Sequence, residues 1–222
     1  VCYHPCESGC NRARLDSTVS IHAVERFLGD RARQAGWKLR PEAPPSGKRV
    51  LVIGAGPSGL SCAYQLARRG HAVEVHEAGP MAGGMMLFGI PAYRLPRAVL
   101  ADEVSRIAEL GVRFVFNHKV EDVLGAKQAG GFDAVFLAIG AQLGKKTEIP
   151  AHDAGKILDA LSFLRSAAAG AAPKLGRRVA IYGGGNTAMD AARTARRLGA
   201  EETLIIYRRD REHMAAHDFE AD

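Results

Sequence analysis

Residues 49–77 read RVLVIGAGPSGLSCAYQLARRGHAVEVHE, and this stretch decides the fold. A short apolar run at residues 50–53 leads into a glycine-rich turn, which is followed by an amphipathic helical pattern and a second apolar run that ends at Glu77. This order predicts a strand, a tight turn, a helix and a second strand parallel to the first. Repeated units of this kind are typical of doubly wound α/β folds.

The turn in this stretch has the chemistry of a nucleotide-binding loop. It follows a predicted strand, opens a predicted helix and has the GxGxxG pattern Gly54-Ala55-Gly56-Pro57-Ser58-Gly59. The first glycine of such a turn permits the bend, the second lets the backbone approach a pyrophosphate, and the third lets helix and strand pack closely. Free N–H groups at the helix start favour phosphate. Glu77, at the end of the second strand, can accept both hydroxyls of an adenosine ribose. A purely architectural turn is the alternative.

The same order returns at residues 178–209, RVAIYGGGNTAMDAARTARRLGAEETLIIYRR. The second turn contains Gly184, Gly185, Asn186 and Thr187, and alanine at position 188 replaces the last glycine, a variant that such turns accept. Where an acid would select an unmodified ribose, the strand end has Arg208 and Arg209. Arginine can bind a 2′-phosphate, which an acid would repel. The two turns therefore predict different nucleotides, with a solvated strand end as the alternative for the arginines.

The elements between the two turns indicate two domains. We expect a loop at residues 79–89, a helix at 96–110, strands at 112–116 and 133–139, and a helix at 157–169, with an earlier helix at 20–35. The sequence thus predicts an α/β fold with two Rossmann-like, doubly wound dinucleotide-binding lobes, the second incomplete, after a short helical cysteine-rich segment. The expected domain bounds are 1–47, 48–145 and 146–222.

The segment FDAVFLAIG at residues 132–140 predicts a buried strand that ends in a small residue and Gly140. Small residues at the carboxyl end of a strand suit close approach of the backbone to a ligand. An ordinary strand followed by a turn explains the same pattern, so both interpretations stay open.

Three of the four cysteines, Cys2, Cys6 and Cys10, lie within nine residues. Thiolates at this spacing suit an iron–sulfur cluster or, less well, zinc. Three thiolates are one short of a cubane site, so a fourth ligand is needed from elsewhere. Cys62 lies alone in a helical pattern and is expected to be a small buried hydrophobe.

Composition excludes some function classes. The net charge of +6 comes with no nucleic-acid motif and with basic residues on predicted helix faces, so we expect no nucleic-acid partner. No apolar run approaches the roughly 20 residues that cross a bilayer, so we expect no membrane partner and a cytoplasmic location. Because the chain starts at Val1 within the cysteine cluster, we interpret it as a piece of a longer protein.

Several phrases together resemble one family, the small (beta) subunit of NADPH-dependent glutamate synthase and its relatives, which include the N-terminal half of dihydropyrimidine dehydrogenase. The phrases cover nearly the whole chain: VCYHPCESGCNR at 1–12, VER at 24–26, GGMMLFGIPAYRLP at 83–96, GGNTAMD at 184–190 and YRRDREHM at 207–214. The resemblance implies that residues 1–47 are the remnant of an iron–sulfur segment with its linker, 48–145 the first part of an FAD-binding domain and 146–222 a truncated NAD(P)H-binding domain.

The resemblance also implies roles for individual residues. The first glycine turn, with Pro57 and Ser58, and Glu77 would hold the adenosine diphosphate of FAD, while Gly83, Gly84 and the Arg94 loop would lie along the flavin. The second turn would hold the NADPH pyrophosphate, with Arg208 and Arg209 at the 2′-phosphate. Cys2 and Cys6 would serve one 4Fe–4S cluster and Cys10 another, and Glu25 falls where some relatives have a non-cysteine ligand. The upstream cysteines of the family are absent, so both clusters would be incomplete in this piece.

The activity implied is electron input: hydride passes from NADPH to FAD, and electrons move on to iron–sulfur clusters and a larger catalytic subunit. A non-catalytic docking or electron-relay subunit, or a fragment without bound cofactors, is the alternative. A thiol–disulfide reductase would need a redox-active cysteine pair beyond Gly84, where this chain has Met85, Met86 and Leu87.

Overall fold

The computed structural model describes residues 2–141, 149, 155–217 and 220, which form two compact units. The first unit extends to Arg40 and contains helix α1 (Pro5–Ser8), a 3₁₀ turn (Asn11–Arg14) and helix α2 (Ile21–Gln34). The helix predicted for residues 20–35 is therefore confirmed as α2. The second unit begins at Pro41 and contains both predicted β–α–β repeats.

The first lobe of the second unit is built on a four-stranded parallel sheet. Its strands are β1 (Arg49–Ile53), β2 (Ala72–His76), β3 (Arg113–Val115) and β4 (Ala134–Leu137), in the order β3-β2-β1-β4. In register, Val50 lies beside Val73 on one side and Ala134 on the other. From β1 the chain first continues on one side, to β2 and β3, and then crosses to the other side of β1 to form β4. The carboxyl ends of β1 and β4 therefore flank a topological switch point, where ligands bind in such folds.

Four helices accompany this sheet: α3 (Pro57–Arg68), α4 (Met85–Phe88), α5 (Arg97–Glu109) and α6 (Val123–Gly130). Successive side chains of β1 point to opposite faces of the sheet. Val52 belongs to the core formed with α3 and α5, while Leu51 and Ile53 pack with Phe132 and the apolar residues of α6. The central strand β1 is thus covered on both faces, as its almost continuous apolar sequence requires. The segment 132–140 does contain a strand, but the prediction that it is buried was wrong, because β4 lies at the edge of the sheet and is mostly exposed.

The second lobe has helix α7 (Ala160–Ala168), strand β5 (Arg178–Tyr182), helix α8 (Asn186–Arg197) and strand β6 (Glu202–Ile206). The two strands pair in parallel and form a sheet separate from the first. Phe163 and Leu164 of α7 pack with Ile181 of β5 and the alanines of α8 to form the core of this lobe. The two Rossmann-like lobes, the second with fewer strands, agree with the fold predicted from the sequence.

Three helices were not predicted, and the first of them is the four-residue α1 in the cysteine-rich segment. The loop expected at residues 79–89 contains the short helix α4, and α6 lies in a stretch for which no element was predicted. Asp122 caps α6 by accepting from the backbone N–H of Gly125 at 2.9 Å, and Gly131 ends the helix in the left-handed region. The predicted helix at 157–169 begins at Ala160 because Asp159 is its N-cap.

The expected boundary between the two lobes, 145/146, lies outside the described residues, as does Pro150. Within the part of the chain that the structure describes, no helix is long and apolar enough to cross a membrane.

Candidate nucleotide-binding sites

The first glycine turn is packed too tightly for side chains at two of its three glycines. Gly54 has φ +104°, and a β-carbon there would meet the carbonyl oxygen of Ala138. A β-carbon at Gly59 would meet the carbonyl oxygen of Gly54. Helix α3 can therefore start directly against the end of β1 only because these positions are glycine.

The loop after β2 folds back onto the same turn. The N–H of Gly83 donates to the carbonyl of Ala55 at 2.8 Å. Gly84 has φ +51°, and a β-carbon on it would lie 2.8 Å from the Cα of Gly56. The structure therefore brings Gly83 and Gly84 to the first turn, as expected of residues in one site. Gly140 (φ +67°) follows β4 at the same edge of the sheet.

The carboxylate of Glu77 is fixed at this turn by two backbone donors. One oxygen accepts from the N–H of Ala55 at 2.8 Å and the other from the N–H of Gly79 at 2.7 Å. A carboxylate has about four lone-pair positions, so each oxygen can accept a further hydrogen bond. The side chain is half-buried and held by these two donors, an arrangement suited to the ribose contact predicted for it.

The starts of helices α3 and α8 fit phosphate groups. Gly56 is the N-cap of α3 and Gly185 the N-cap of α8, and neither helix has a side-chain cap. The first N–H groups of a helix have no partner within the helix, and a phosphate oxygen can satisfy them while interacting favourably with the dipole. A β-carbon at Gly185 would meet nothing within 4 Å, so the space in front of this turn is open. The residues of both turns therefore fit a dinucleotide pyrophosphate.

The residues of the second glycine turn have different surroundings. Ala188 is buried in the core of the second lobe, while Thr187 is exposed. The side-chain oxygen of Asn186 accepts from the N–H of His217 at 3.1 Å. A β-carbon at Gly184 would lie 2.6 Å from the ring of Tyr207, so this glycine is required by packing against the end of β6.

Arg208 and Arg209 follow β6 and are exposed. Among the described residues neither guanidinium has an ion-pair partner. The neighbouring loop is held by its own contacts, since the hydroxyl of Tyr207 donates to the carbonyl of His213 at 2.9 Å. Both cations are therefore available to an anion at the carboxyl end of β6.

Arg94 lies in an environment that the sequence did not reveal. Its guanidinium contacts the carboxylates of Asp190 at 2.6 Å and Glu220 at 2.5 Å, and Glu220 also pairs with Arg193. The flavin-side position expected for the Arg94 loop stays a prediction, and the observed partners belong to the second lobe.

Sequence reasoning missed Asp190, although it lies inside the phrase GGNTAMD. The available signal was a carboxylate among small apolar residues on the buried side of α8. It also missed Arg97, whose guanidinium donates to the carbonyls of Met86, Ile90 and Leu95 and so holds the loop that carries Arg94.

In the cysteine-rich segment, the predicted cysteine ligands are not among the side chains whose ligand atoms lie close together. Among the residues that the structure describes, the single group of close metal-ligand atoms is His4, Glu7 and His22, whose atoms lie within 4.8 Å of one another. Hydrogen bonding from His22 is the largest cause that lowers the pKa of Glu7. Cys2 and Cys6 are exposed, as is Glu25 on α2, while backbone hydrogen bonds lower the pKa of the Cys10 thiol. Cluster ligation stays a prediction.

Cys62, predicted to be a small buried hydrophobe, is only half-buried in the structure. It packs against the main core of the first lobe, and burial raises the pKa of its thiol. No other cysteine follows residue 10, so neither lobe contains a cysteine pair.

A family model described as pyridine nucleotide-disulphide oxidoreductase matches residues 48–221, which include both glycine turns. The chain belongs to this family. Its relatives include NAD(P)H-dependent, flavin-type oxidoreductases and their subunits, and the resemblance to the glutamate synthase small chain and related proteins is confirmed.

Three relatives match nearly the whole of this chain. The NADP(+)-dependent formate dehydrogenase subunit beta of Moorella thermoacetica is 42% identical over 243 residues, covering 98% of this chain and 34% of that protein. The NADPH-Fe(3+) oxidoreductase subunit beta of Geobacter sulfurreducens is 39% identical over 230 residues, covering 100% and 34%. The glutamate synthase [NADPH] small chain of Escherichia coli K12 is 35% identical over 224 residues, covering 94% and 47%. The chain thus spans about a third of the first two relatives and about half of the third.

Solved structures agree on the fold. FprA of Mycobacterium tuberculosis in complex with NADPH superimposes with a TM-score of 0.64 at 24% identity, over 78% of this chain and 46% of that one. 2-Naphthoyl-CoA reductase gives a TM-score of 0.59 at 28% identity, over 73% and 24%.

Proposed function

We propose that this chain is the nucleotide-binding part of an electron-input oxidoreductase, which takes hydride from NADPH onto FAD and passes electrons through iron–sulfur clusters to a partner subunit. The observation that carries the proposal is the pair of glycine turns at the carboxyl ends of parallel strands. Each opens a helix with no side-chain cap, and the two lobes differ at the end of the next strand: the first has a carboxylate there, and the second has two exposed arginines.

In this proposal the first lobe holds FAD and the second NADPH. The N–H groups at the start of α3 bind the FAD pyrophosphate, and Glu77 accepts from the adenosine ribose. The N–H groups at the start of α8 bind the NADPH pyrophosphate, and Arg208 and Arg209 bind the 2′-phosphate. The cofactors supply the redox chemistry, since NADPH donates hydride to the flavin. The protein binds them, orients them and excludes water.

The names of the relatives support NADPH as the input and a separate partner as the output. All three names contain NADP(+) or NADPH, and all three relatives are subunits, two called beta and one a small chain. The rest of each name differs: formate dehydrogenase, Fe(3+) oxidoreductase and glutamate synthase. We therefore propose a larger catalytic subunit as the electron acceptor. Disulfide reduction by these lobes is not proposed, because Cys62 has no second cysteine in them.

Cofactor analysis of the full-length protein tests the proposal. We expect bound FAD together with iron and acid-labile sulfide. A natively folded full-length protein that contains none of these after anaerobic purification, and binds no added FAD, would overturn it.

Replacement of Glu77 by alanine is expected to weaken FAD binding in the full-length protein by about tenfold to a hundredfold. The variant loses a charge-assisted hydrogen bond to the ribose of roughly 1.5–3 kcal/mol, and each 1.4 kcal/mol is about tenfold in affinity. The measurement is the dissociation constant of FAD for the deflavinated protein, with the FAD content of the purified protein as a second readout.

Two variants control for structural effects at Glu77. Glu77→Gln keeps an oxygen acceptor for one of the two backbone N–H groups and should lie between wild type and Glu77→Ala. Glu121→Ala removes an exposed carboxylate that pairs with Lys119 and should bind FAD as wild type does. FAD affinity unchanged in Glu77→Ala would refute the ribose contact.

We predict that Cys6→Ser lowers the iron and sulfide content of the anaerobically purified full-length protein by about one cluster per chain, because a 4Fe–4S cluster needs four ligands. The matched control is Cys62→Ala, which removes the cysteine that packs in the first lobe and should leave iron content unchanged. Stoichiometric zinc without iron in the wild-type protein would contradict the prediction.

A further inference from the structure

A group of four charged residues connects the two lobes. Arg94 contacts Asp190 and Glu220, and Glu220 contacts Arg193. The two carboxylates are 7% and 5% exposed and the Arg94 side chain 13%, so the two contacts of Arg94 are almost removed from solvent. The Arg94 guanidinium uses both terminal nitrogens, one for each carboxylate.

The residues of this group come from both lobes. Arg94 lies in the loop between α4 and α5 of the first lobe, and α4 starts directly after Gly83 and Gly84 at the first glycine turn. Asp190 lies on α8, five residues after Gly185 at the second turn. The Arg94 contacts therefore connect the elements that carry the two proposed nucleotide sites.

Both ends of this connection are held in place. In the first lobe, Arg97 donates to the backbone carbonyls of Ile90 and Leu95 in the Arg94 loop and of Met86 in α4, at 2.9–3.2 Å. In the second lobe, Asp190 sits among buried residues of α8. A neighbouring cation–π contact also joins the Arg94 loop to α8, since the Arg197 guanidinium lies 4.1 Å from the centre of the Tyr93 ring.

Buried charges make this connection specific. Removing one member of a buried ion pair leaves the other charge uncompensated, which is strongly unfavourable. Arrangements of the lobes that separate Arg94 from Asp190 and Glu220 are disfavoured for the same reason. Burial also raises the pKa of Asp190, while Arg94 acts in the opposite direction and favours the charged carboxylate.

We propose that Arg94 is a positioning residue, which sets the orientation of the second glycine turn relative to the first and so brings the two nucleotides into register for hydride transfer. This inference rests on the proposed function. Arg94 need not touch either nucleotide, because it acts through α8 and its own loop.

The test compares Arg94→Gln and Arg94→Lys with wild type in the full-length, FAD-loaded protein. In Arg94→Gln, the rate of flavin reduction at saturating NADPH should fall by about tenfold or more, since small misplacements of reacting groups cost up to about a hundredfold. The KM for NADPH should change far less, because the residues that bind it are intact. Arg94→Lys keeps one charge and should fall between the two.

A second readout is independent of activity. Hydrogen exchange should rise in Arg94→Gln both in the loop at residues 89–96 and in α8, while β1 and α3 stay protected as in wild type. Arg113→Gln is the matched control, since it removes an exposed arginine that pairs with Glu74 inside the first lobe, and it should change neither measurement.

The outcomes separate this inference from the function it rests on. A wild-type flavin that NADPH does not reduce would overturn the proposed function itself. A wild-type flavin that is reduced, with Arg94→Gln reduced at the same rate, would overturn the positioning role. A loss that appears wholly in KM would also overturn it, by showing that Arg94 supports nucleotide binding.

Discussion

Replacement of Gly59 by alanine is expected to destabilise the first lobe by about 1–3 kcal/mol or more, the usual cost of forcing atoms into a packed site. The added β-carbon would overlap the carbonyl oxygen of Gly54, which is backbone and cannot rotate away. Either helix α3 or the end of β1 must move, and both carry the proposed FAD site. Flavin content per chain should therefore fall sharply, together with the unfolding temperature of the full-length protein.

Gly29→Ala is the control for this prediction. Gly29 lies in the middle of helix α2, where a β-carbon would meet nothing within 4 Å. Alanine is the better helix former by roughly 1 kcal/mol, so this variant should be at least as stable as wild type. Equal stability and equal flavin content in Gly59→Ala and Gly29→Ala would show that the close approach at the first turn is unimportant.

Replacing both Arg208 and Arg209 by alanine is expected to weaken NADPH binding by about a hundredfold or more while leaving NADH binding almost unchanged. Each charge-assisted contact to the 2′-phosphate contributes roughly 1.5–3 kcal/mol, and each 1.4 kcal/mol is about tenfold in affinity. Both side chains are exposed, so the difference between NADPH and NADH should shrink as salt rises. The measurement is the affinity of full-length protein for each nucleotide at low and high ionic strength.

The double variant Arg177→Ala/Arg178→Ala provides a matched change of charge. These arginines lie at the amino end of β5, in the same lobe, and pair with Glu201 and Glu202. NADPH affinity should stay close to wild type in this variant. If NADPH and NADH weaken equally in the Arg208/Arg209 variant, the arginines support the fold and do not recognise the phosphate.

Local patterns were enough to predict the two β–α–β units. An apolar run, a glycine turn and an amphipathic helix each depend on neighbouring residues, and the observed strands and helices fall within a few residues of the predicted ones. The resemblance to a known family implies that Gly83 and Gly84 lie along the flavin, but it did not specify their approach to the first turn. The structure shows why this approach needs glycine, since Gly84 can lie against Gly56 only without a β-carbon.

Other features depend on residues distant in sequence, where no local pattern helps. Arg94 and Asp190 are 96 positions apart, and their pairing depends on how the lobes pack. Helix α6 was missed for a different reason. Asp122 and Gly131 are ordinary start and stop signals, but the eight residues between them are too few and too rich in glycine to show a clear helical period.

The cysteine-rich unit shows a further limit of sequence spacing. Three closely spaced cysteines predict ligands for a metal cluster, yet the close ligand atoms among the described residues belong to His4, Glu7 and His22. His22 reaches this group from helix α2, 15 residues after Glu7. Spacing along the chain indicated the kind of chemistry and did not reveal this cluster of side chains.

The central claim is that the two lobes bind different nucleotides and pass hydride between them. Anaerobic mixing of the full-length, FAD-containing protein with NADPH or NADH, with the visible absorption of the flavin as the readout, tests it most directly. We expect that stoichiometric NADPH bleaches the oxidised flavin band and that NADH at the same concentration does so much more slowly. A flavin band that NADPH leaves unchanged, or that NADH bleaches faster, would contradict the claim.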